Sequence, residues 1–300
     1  MKRYRIYQVD AFTTEKFKGN PAGVVPDADG LSDGEMQCIA RELNNSETAF
    51  ILSPTDPDHD VWIRFFTPTT EVPSCGHATI AAHYVRAVEN QMNSSTLRQR
   101  IGIGILPVDV TKEENDYTIQ MTQGDIEFYP PLAASDCEQL LVHLGLVQED
   151  LDERCPVQIV STGHSKVLIG IKSRKRLNSL SPDMNGLSTL SESIGCNGYF
   201  VFTLDSKSSD IKSHGRMFAP AIGILEDPVT GNANGPLGAY LVKHRFAEHD
   251  GNVLSFKAEQ GEAIGRSGIV DVTVKIHNGN PIQVKVGGRA VIVFRTEIEM

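Results

Sequence analysis

The chain has 300 residues, of which 40% are hydrophobic and 22% charged, and these values suit two globular domains of ordinary size. Its formal net charge of −10 argues against nucleic acid or an anionic membrane as a partner, because both attract basic surfaces. The five cysteines are odd in number and widely spaced, which indicates a reduced compartment. Since neither a signal-peptide pattern nor a membrane-spanning apolar stretch occurs, we predict a cytoplasmic protein.

The first predicted elements are two strands joined by a turn. Residues 4–12 alternate between apolar and polar side chains, and Val24 and Val25 belong to the next strand. Asn20 is predicted to lie in the turn of residues 18–23. Two interpretations of Asn20 remain open, a substrate contact or a turn former, because Asn, Gly and Pro all favour turns.

A helix is predicted over residues 33–43. Ser32 and Glu35 have the spacing of a capping box, and apolar residues then recur at helical spacing. Glu47 comes next, in a short connection ahead of a strand at 48–52. A carboxylate held between two packed elements can act as a catalytic base. The residues alone favour the other interpretation, a solvated loop glutamate.

A corner between a loop and a helix follows a predicted strand at 61–66. The loop carries Cys75, and Gly76 begins a helix whose apolar residues recur at helical spacing. His77 lies at the start of this helix. The polar stretch at 90–100 is predicted to be a loop.

The remaining elements lead into a second half of the chain. Strands are predicted at 103–110, 117–121, 157–160, 167–171, 199–203, 270–276, 282–286 and 290–294, and helices at 137–144 and from 181 onward. Residues 125–131 are predicted to cross between the halves, and the last strand is expected to return to the first half. His164 and Lys166 lie in a polar turn and are assigned to the turn or the surface.

The two halves share a pattern. Three pairs of features recur in the same order and at nearly constant spacing: residues 64–68 with 216–220, residues 48–52 with 198–202, and Gly76 with Gly231. This repetition indicates one structural unit used twice. We therefore predict one domain of residues 1–124 plus 286–300, and a second domain of residues 125–285.

The two glycine corners are candidate ligand sites. Glycine lets a ligand approach the main chain closely, and the unpaired amide groups of a helix N-terminus favour a carboxylate. Asp227 and Thr230 lie in the loop before Gly231, and Pro236 is expected in the first turn of the following helix. Ordinary strand-loop-helix corners are the alternative. Two copies with polar side chains beside the glycine favour a ligand site.

Motifs for metals and common cofactors are missing from the sequence. His77 and His83 do not share a helix face, and no His-Glu-x-x-His occurs. No Gly-x-Gly-x-x-Gly follows a strand, and no Gly-x-Ser-x-Gly nucleophile elbow is present. We therefore predict neither a metal nor a cofactor.

Six motifs run in order across most of the chain. They are Val9-Asp-Ala-Phe12, Phe17-x-Gly-Asn-Pro-Ala-Gly-Val24, Asn45-Ser-Glu-Thr48, Phe66-Thr-Pro68, Cys75-Gly-His-Ala78 and Glu226-Asp-Pro-x-Thr-Gly231. Together they resemble the PhzF-like family of phenazine-biosynthesis-type isomerases, in the diaminopimelate epimerase superfamily. The resemblance implies an α+β fold of two pseudo-symmetric domains, each a curled β-sheet around a central helix, with the active site in the cleft between them. It also suggests a homodimer.

The resemblance implies roles for individual residues. Glu47 matches the catalytic acid/base of the family, and His77 and Asp227 match polar partners around the substrate. Gly76 and Gly231 match the backbone donors at the helix starts.

Three further positions bear on the substrate and the reaction. Asn232 stands where the phenazine enzyme has serine, which argues for a difference in substrate recognition. Epimerases of the superfamily use two thiols, and Cys75 matches the first while Thr230, which cannot act as a carbon base, occupies the second. We interpret Cys75 as a small buried residue, with a role in proton transfer as the alternative.

We therefore predict a cofactor-independent isomerase that moves a proton between carbon atoms of a small carboxylate-bearing substrate. The predicted catalytic residues are Glu47, His77 and Asp227, and the predicted substrate-binding residues are Asn20, Gly76, Thr230, Gly231 and Asn232. Two alternatives remain open. One is an amino-acid epimerase or racemase that uses Cys75 and a second base, and the other is a non-catalytic protein of the same fold that binds a small molecule.

Overall fold

Alternation of apolar and polar residues sets much of the secondary structure. Val61, Ile63 and Phe65 are buried, for example, while the side chains between them stay partly exposed, as expected of a strand with one face on a core. The computed structural model describes residues 2–300, which form eighteen strands and six α-helices.

The strands and helices are numbered in chain order. The strands are β1 (Arg3–Ala11), β2 (Asn20–Val25), β3 (Thr48–Leu52), β4 (Val61–Phe66), β5 (Glu71–Val72), β6 (Ser95–Ile101), β7 (Gly104–Lys112), β8 (Tyr117–Thr122), β9 (Glu127–Pro131), β10 (Gln158–Ser161), β11 (Lys166–Ile171), β12 (Tyr199–Thr203), β13 (Ile211–Ala219), β14 (Ile224–Asp227), β15 (Val253–Gln260), β16 (Gly268–His277), β17 (Asn280–Gly288) and β18 (Ala290–Glu299). The helices are α1 (Asp33–Leu43), α2 (Gly76–Glu89), α3 (Ala134–Leu144), α4 (Arg174–Asn178), α5 (Met184–Ile194) and α6 (Gly231–Lys243). Within the described range, no helix has both the length and the apolar character needed to cross a membrane.

The chain folds into two units. Unit 1 contains the described residues up to Thr122 together with Gly287–Met300, and unit 2 is Gln123–Val286. Strand β18 pairs antiparallel with β1, with Tyr4 opposite Ile298. The end of the chain therefore completes the sheet of unit 1, as predicted.

Unit 1 is a curled sheet around a helix. Strand β1 pairs antiparallel with β2, β2 parallel with β3, β3 antiparallel with β4, and β4 parallel with β6, after which β6, β7 and β8 follow as antiparallel neighbours. Helix α2 packs against β1, β2, β3, β8 and β18, and ten of its fourteen residues are buried. Because α2 contacts strands from both ends of this pairing order, the sheet wraps around it.

Unit 2 uses the same plan. Strand β10 pairs antiparallel with β11, β11 parallel with β12, β12 antiparallel with β13, β13 parallel with β15, and β15 antiparallel with β16. Helix α6 packs against β10, β11, β15 and β16 and is almost wholly buried. Helices α3 and α5 pack against each other and contribute leucines to a separate apolar cluster.

The register of these strands confirms the internal duplication and corrects one pairing. Thr48 lies opposite Phe66 in unit 1, and Tyr199 lies opposite Phe218 in unit 2. Thr48 therefore corresponds to Tyr199, one residue beyond the predicted match with Gly198. The similarity in apolar character between the two segments could not distinguish a shift of one residue, whereas backbone hydrogen bonding does.

Helix α1 starts and ends at the predicted residues. Ser32 accepts from the Glu35 amide, the Glu35 carboxylate accepts from the Ser32 amide, and the helix covers Asp33–Leu43. The left-handed conformation of Asn44 ends it, with φ of 52°.

Five local predictions were wrong. Lys166, which was assigned to a turn or the surface, is the first residue of β11 and is only partly exposed. The stretch 90–100, predicted as a loop, contains most of β6, whose polar side chains are compatible with a strand because much of its surface is exposed. The crossing at 125–131 contains β9, paired with β10. Asn20 begins β2 rather than lying in the turn. Pro236 lies beyond the first turn of α6, where the preceding Gly235 has no side chain to clash with the proline ring.

Candidate active site

The first cluster of functional side chains forms where α1 ends and α2 begins, both in unit 1. Glu47 follows the α1 cap and precedes β3, and its backbone carbonyl accepts a hydrogen bond from the Gly23 amide at 3.3 Å. Cys75 is the N-cap of α2, in extended conformation, and Gly76 is the first helical residue. These connections bring Glu47 to the start of α2, where His77 lies.

His77 is the centre of this cluster. Its Nε2 lies 3.3 Å from the Glu47 Oε2 and 3.3 Å from the Ser46 Oγ, and its Nδ1 lies 3.5 Å from the Cys75 Sγ. The side chains of His77 and Glu47 are only 8% and 16% exposed. We call Ser46, Glu47, Cys75 and His77 the Glu47 cluster. A carboxylate, an imidazole and a thiol within reach of one another can hold and move a proton.

The same three groups offer ligand atoms for a metal ion. One atom each of Glu47, Cys75 and His77 lies within 4.8 Å of the other two. A carboxylate, a thiolate and an imidazole form a donor set that suits zinc. The spacing of the histidines in the sequence does not indicate this set, because its members come from two separate segments. His83 lies elsewhere, fully buried, with its Nε2 3.0 Å from the Gln99 Oε1.

A second cluster surrounds Asp227 at the start of α6, within unit 2. Thr230 is the N-cap of α6, and its hydroxyl donates to the Asp227 carboxylate. The Gln260 amide group donates to the Thr230 Oγ1 at 3.0 Å and to the Asp227 carbonyl at 2.8 Å, and it accepts from the Thr230 amide at 3.0 Å. Asn234 donates to the Thr230 carbonyl and to the Gln260 Oε1, each at 3.0 Å. We call Asp227, Thr230, Asn234 and Gln260 the Asp227 network.

Two members of this network were missed from the sequence. Gln260 and Asn234 are each 1% exposed, and every described contact of the Gln260 amide goes to Asp227, Thr230 or Asn234. Buried amides are normally hydrogen-bonded, so these two fix the loop before α6 in one conformation. Gln260 ends a strand that the sequence analysis did not predict, and no local pattern pointed to it.

The remaining predicted residues fall in separate places. Gly231 is the first residue of α6, as expected. The Asn232 Oδ1 accepts from the Gln123 Nε2 at 2.9 Å, and Gln123 in turn accepts from the Thr162 hydroxyl at 2.8 Å. Asn20 is buried at the start of β2, opposite Ala11 of β1.

Comparison with known proteins agrees with this fold. The family described as phenazine biosynthesis-like protein, PhzC-PhzF, matches residues 9–296. An uncharacterized isomerase of Clostridium acetobutylicum is 60% identical over 298 residues, with 99% of each chain covered. The trans-2,3-dihydro-3-hydroxyanthranilate isomerase of Pseudomonas aeruginosa is 31% identical, with 89% of this chain and 88% of that protein covered.

Solved structures give the same assignment. The Bacillus anthracis phenazine biosynthesis protein of the PhzF family superimposes with a TM-score of 0.90 at 32% identity, and all of both chains is covered. A probable proline racemase of Agrobacterium radiobacter, at 11% identity and a TM-score of 0.66, shares the fold alone. The fold is thus the α+β, epimerase-like fold that the sequence predicted, and the protein is an isomerase. It belongs to the PhzF family of phenazine biosynthesis-like proteins.

Proposed function

We propose that the chain catalyses a proton shift between two carbon atoms of a small, unsaturated carboxylate, with Glu47 as the acid/base and without a cofactor. The observation that carries this proposal is the distance of 3.3 Å between the largely buried Glu47 carboxylate and the His77 imidazole. A partly desolvated carboxylate next to an imidazole can accept a proton from an activated C–H bond and return it.

The step is balanced without an oxidant. The Glu47 carboxylate takes a proton from a carbon next to a double bond, and the electron pair of that C–H bond forms a new double bond. The electrons of the original double bond then take a proton from the Glu47 carboxyl group at the far carbon, either the one that was removed or a solvent proton that has exchanged with it. Electrons and atoms are conserved, and Glu47 returns to its starting state, so no redox cofactor is required.

Family membership and the helix starts support this substrate class. A P. aeruginosa relative is named for trans-2,3-dihydro-3-hydroxyanthranilate, a cyclic unsaturated carboxylate. The start of α2 at Gly76 and the start of α6 at Gly231 each suit a carboxylate group, because helix N-termini favour anions. Asn232 and Asn20 are assigned to contacts that set which carboxylate binds.

His77 and Asp227 are assigned to polar contacts with the reacting substrate. His77 can pass a proton to or from Glu47 or hold the carboxylate in position. Asp227 is held by the Thr230 hydroxyl. This contact also argues against a two-thiol epimerase, because the residue that takes the place of the second thiol is a threonine whose hydroxyl is bonded to Asp227.

Proton NMR in deuterated water tests the proposal. The wild type, Glu47→Gln and Cys75→Ala are given trans-2,3-dihydro-3-hydroxyanthranilate, diaminopimelate and related unsaturated carboxylates. We expect isomerised, deuterium-labelled product from the wild type and from Cys75→Ala, and none from Glu47→Gln. Turnover by Glu47→Gln would refute the role of Glu47 as the acid/base. Loss of turnover in Cys75→Ala would indicate that the Cys75 thiol is the base.

A matched control is Glu42→Gln, since Glu42 lies at the exposed end of α1, close to Glu47 in sequence. This variant loses the same charge outside the cluster and should keep full activity. Thermal unfolding of each variant establishes that the fold is intact.

A further inference from the structure

Lys166 is the first residue of β11. The aliphatic part of its side chain is packed against neighbouring residues, and its ammonium group has few hydrogen-bond partners. A Cβ atom built on Gly198 would lie 2.4 Å from the Lys166 Cδ and 2.9 Å from its Cε, so the lysine stem runs directly over this glycine. The same built atom would lie 2.8 Å from the Met217 Cε. The stem of Lys166 therefore fills a space between Gly198 and Met217.

The ammonium group at the tip makes one hydrogen bond, to the Ser165 carbonyl at 3.0 Å. Within residues 2–300, no carboxylate lies at ion-pair distance from the Lys166 Nζ. An ammonium group has three donors, so two remain for another partner. Lys166 is only partly exposed, and a cation that is partly withdrawn from water without a carboxylate partner is a candidate for binding a ligand.

The electrostatic surroundings of Lys166 agree with this geometry. Burial lowers the pKa of Lys166, while the nearby Cys196 and, to a smaller extent, Asp227 favour its protonated form. Burial and the positive charge of Lys166 together lower the pKa of His164. Lys166 is thus a poorly solvated amine that a nearby negative charge would stabilise in its charged form, and Asp227 does so only from outside ion-pair distance.

The internal duplication shows which residues of unit 1 correspond to Lys166 and Gly198. Gly23 lies opposite Thr48 in unit 1, and Val167 lies opposite Tyr199 in unit 2, so these two pairs correspond. One residue earlier on each strand, Ala22 and Glu47 of unit 1 correspond to Lys166 and Gly198 of unit 2. At the first of these two positions, Ala22 of unit 1 is replaced by the charged Lys166 in unit 2. At the second, the charged Glu47 of unit 1 is replaced by Gly198 in unit 2.

In unit 1 the small residue is on β2 and the charged group precedes β3. In unit 2 the glycine precedes β12 and the charged group is on β11, with opposite sign. The lysine stem therefore occupies the room that the missing side chain at residue 198 leaves. The residue that corresponds to the proposed base of unit 1 is Gly198 in unit 2, and the Cδ and Cε atoms of Lys166 lie over it.

We propose that Lys166 binds an anionic group of the substrate, a carboxylate, through the two donors that Ser165 does not use. That this anion is a carboxylate rests on the proposed function, whereas the cation site rests on Lys166 and its packing. Lys166 is accordingly a residue that determines specificity for acids over their neutral analogues.

A binding experiment tests this with the full-length protein. Anthranilate and anthranilamide have nearly the same shape and differ in the charge of one group, and calorimetry gives the affinity of each. We expect the wild type to prefer anthranilate by about tenfold or more, and Lys166→Met to lose that preference, because methionine fills the stem space without the charge. Lys172→Met is the control, since Lys172 is an exposed lysine of the same unit, and it should behave as the wild type.

Each outcome is decisive. Failure of the wild type to prefer the acid, including failure to bind it at about 10 mM, overturns the proposal, as does a preference retained by Lys166→Met. If Lys166→Met unfolds, Lys166→Gln repeats the test with a polar, neutral side chain. Glu47→Gln should keep the preference for the acid. Turnover by Glu47→Gln would refute the proton-transfer mechanism and leave the Lys166 site unaffected. A loss of the Lys166 site in the binding experiment would leave the proton-transfer mechanism unaffected.

Discussion

The His77 imidazole contacts both Glu47 and Cys75: its Nε2 lies 3.3 Å from the Glu47 carboxylate, and the Cys75 sulfur lies 3.5 Å from its Nδ1 and 4.0 Å from its Nε2. One ligand atom of each of these three residues lies within 4.8 Å of the other two, so the carboxylate, the imidazole and the thiol form one compact group. Such a group can hold and pass a proton.

Replacement of His77 by asparagine should lower kcat by roughly 10² or more, because the imidazole beside the base is lost while a polar side chain remains. The measurement is kcat for isomerisation together with deuterium incorporation. Ser46→Ala is the matched control, since Ser46 contacts the same ring nitrogen and should cost less than about tenfold. Equal effects of the two substitutions would contradict a proton-transfer role for His77.

The Thr230 hydroxyl should contribute to catalysis by holding Asp227 in place. Thr230→Val keeps the shape of the side chain and removes both the hydrogen bond to Asp227 and the one from Gln260, so kcat/KM should fall roughly tenfold. Thr230→Ser keeps the hydroxyl and should stay near the wild type. Steady-state kinetics of both variants provide the comparison, and indistinguishable variants would show that the contact is unimportant.

Two equivalent arginines should differ in their contribution to stability. Arg216 and Glu226 form a two-bonded salt bridge with side chains 8% and 12% exposed, whereas Arg64 and Glu71 form the same bridge with 14% and 43% exposed. Arg216→Met should cost about 3–5 kcal/mol of unfolding free energy, because it strands a buried carboxylate. Arg64→Met should cost about 1 kcal/mol, because Glu71 reaches water.

Urea denaturation of both variants gives these free energies. The double variant Arg216→Met, Glu226→Met should recover much of the loss, since no unpaired charge then remains buried. Equal costs for the two single variants would argue that burial does not govern these bridges.

His83 should make the protein less stable in acid. Burial lowers the pKa of His83 from 6.5 to about 4, so the folded state binds fewer protons than the unfolded state between these values. The free energy of unfolding should therefore fall as the pH drops from about 6.5 to 4, by at most about 3 kcal/mol from this residue. Denaturation of the wild type and His83→Asn across this range tests it, and an unchanged slope in the variant would assign the effect to other groups.

Local features of the fold could be predicted from the sequence because their causes are local. The capping box of α1 needs only Ser32 and Glu35, and the glycine starts of α2 and α6 need only the residues around Gly76 and Gly231. Strand β6 was missed because its polar residues carry no alternating pattern, and it is held as a strand by backbone pairing with β7.

The sequence by itself determined the family, the internal duplication, and the identity of most candidate site residues, since these depend on short motifs in a set order. Only the tertiary structure decided that Gln260 supports Thr230, that Ser46 joins His77, and that the Lys166 stem lies over Gly198. The physical reason is that strand pairing joins residues far apart in the chain. The parallel pairing of β11 with β12 sets Lys166 beside Gly198, and a local pattern contains no information on such a contact.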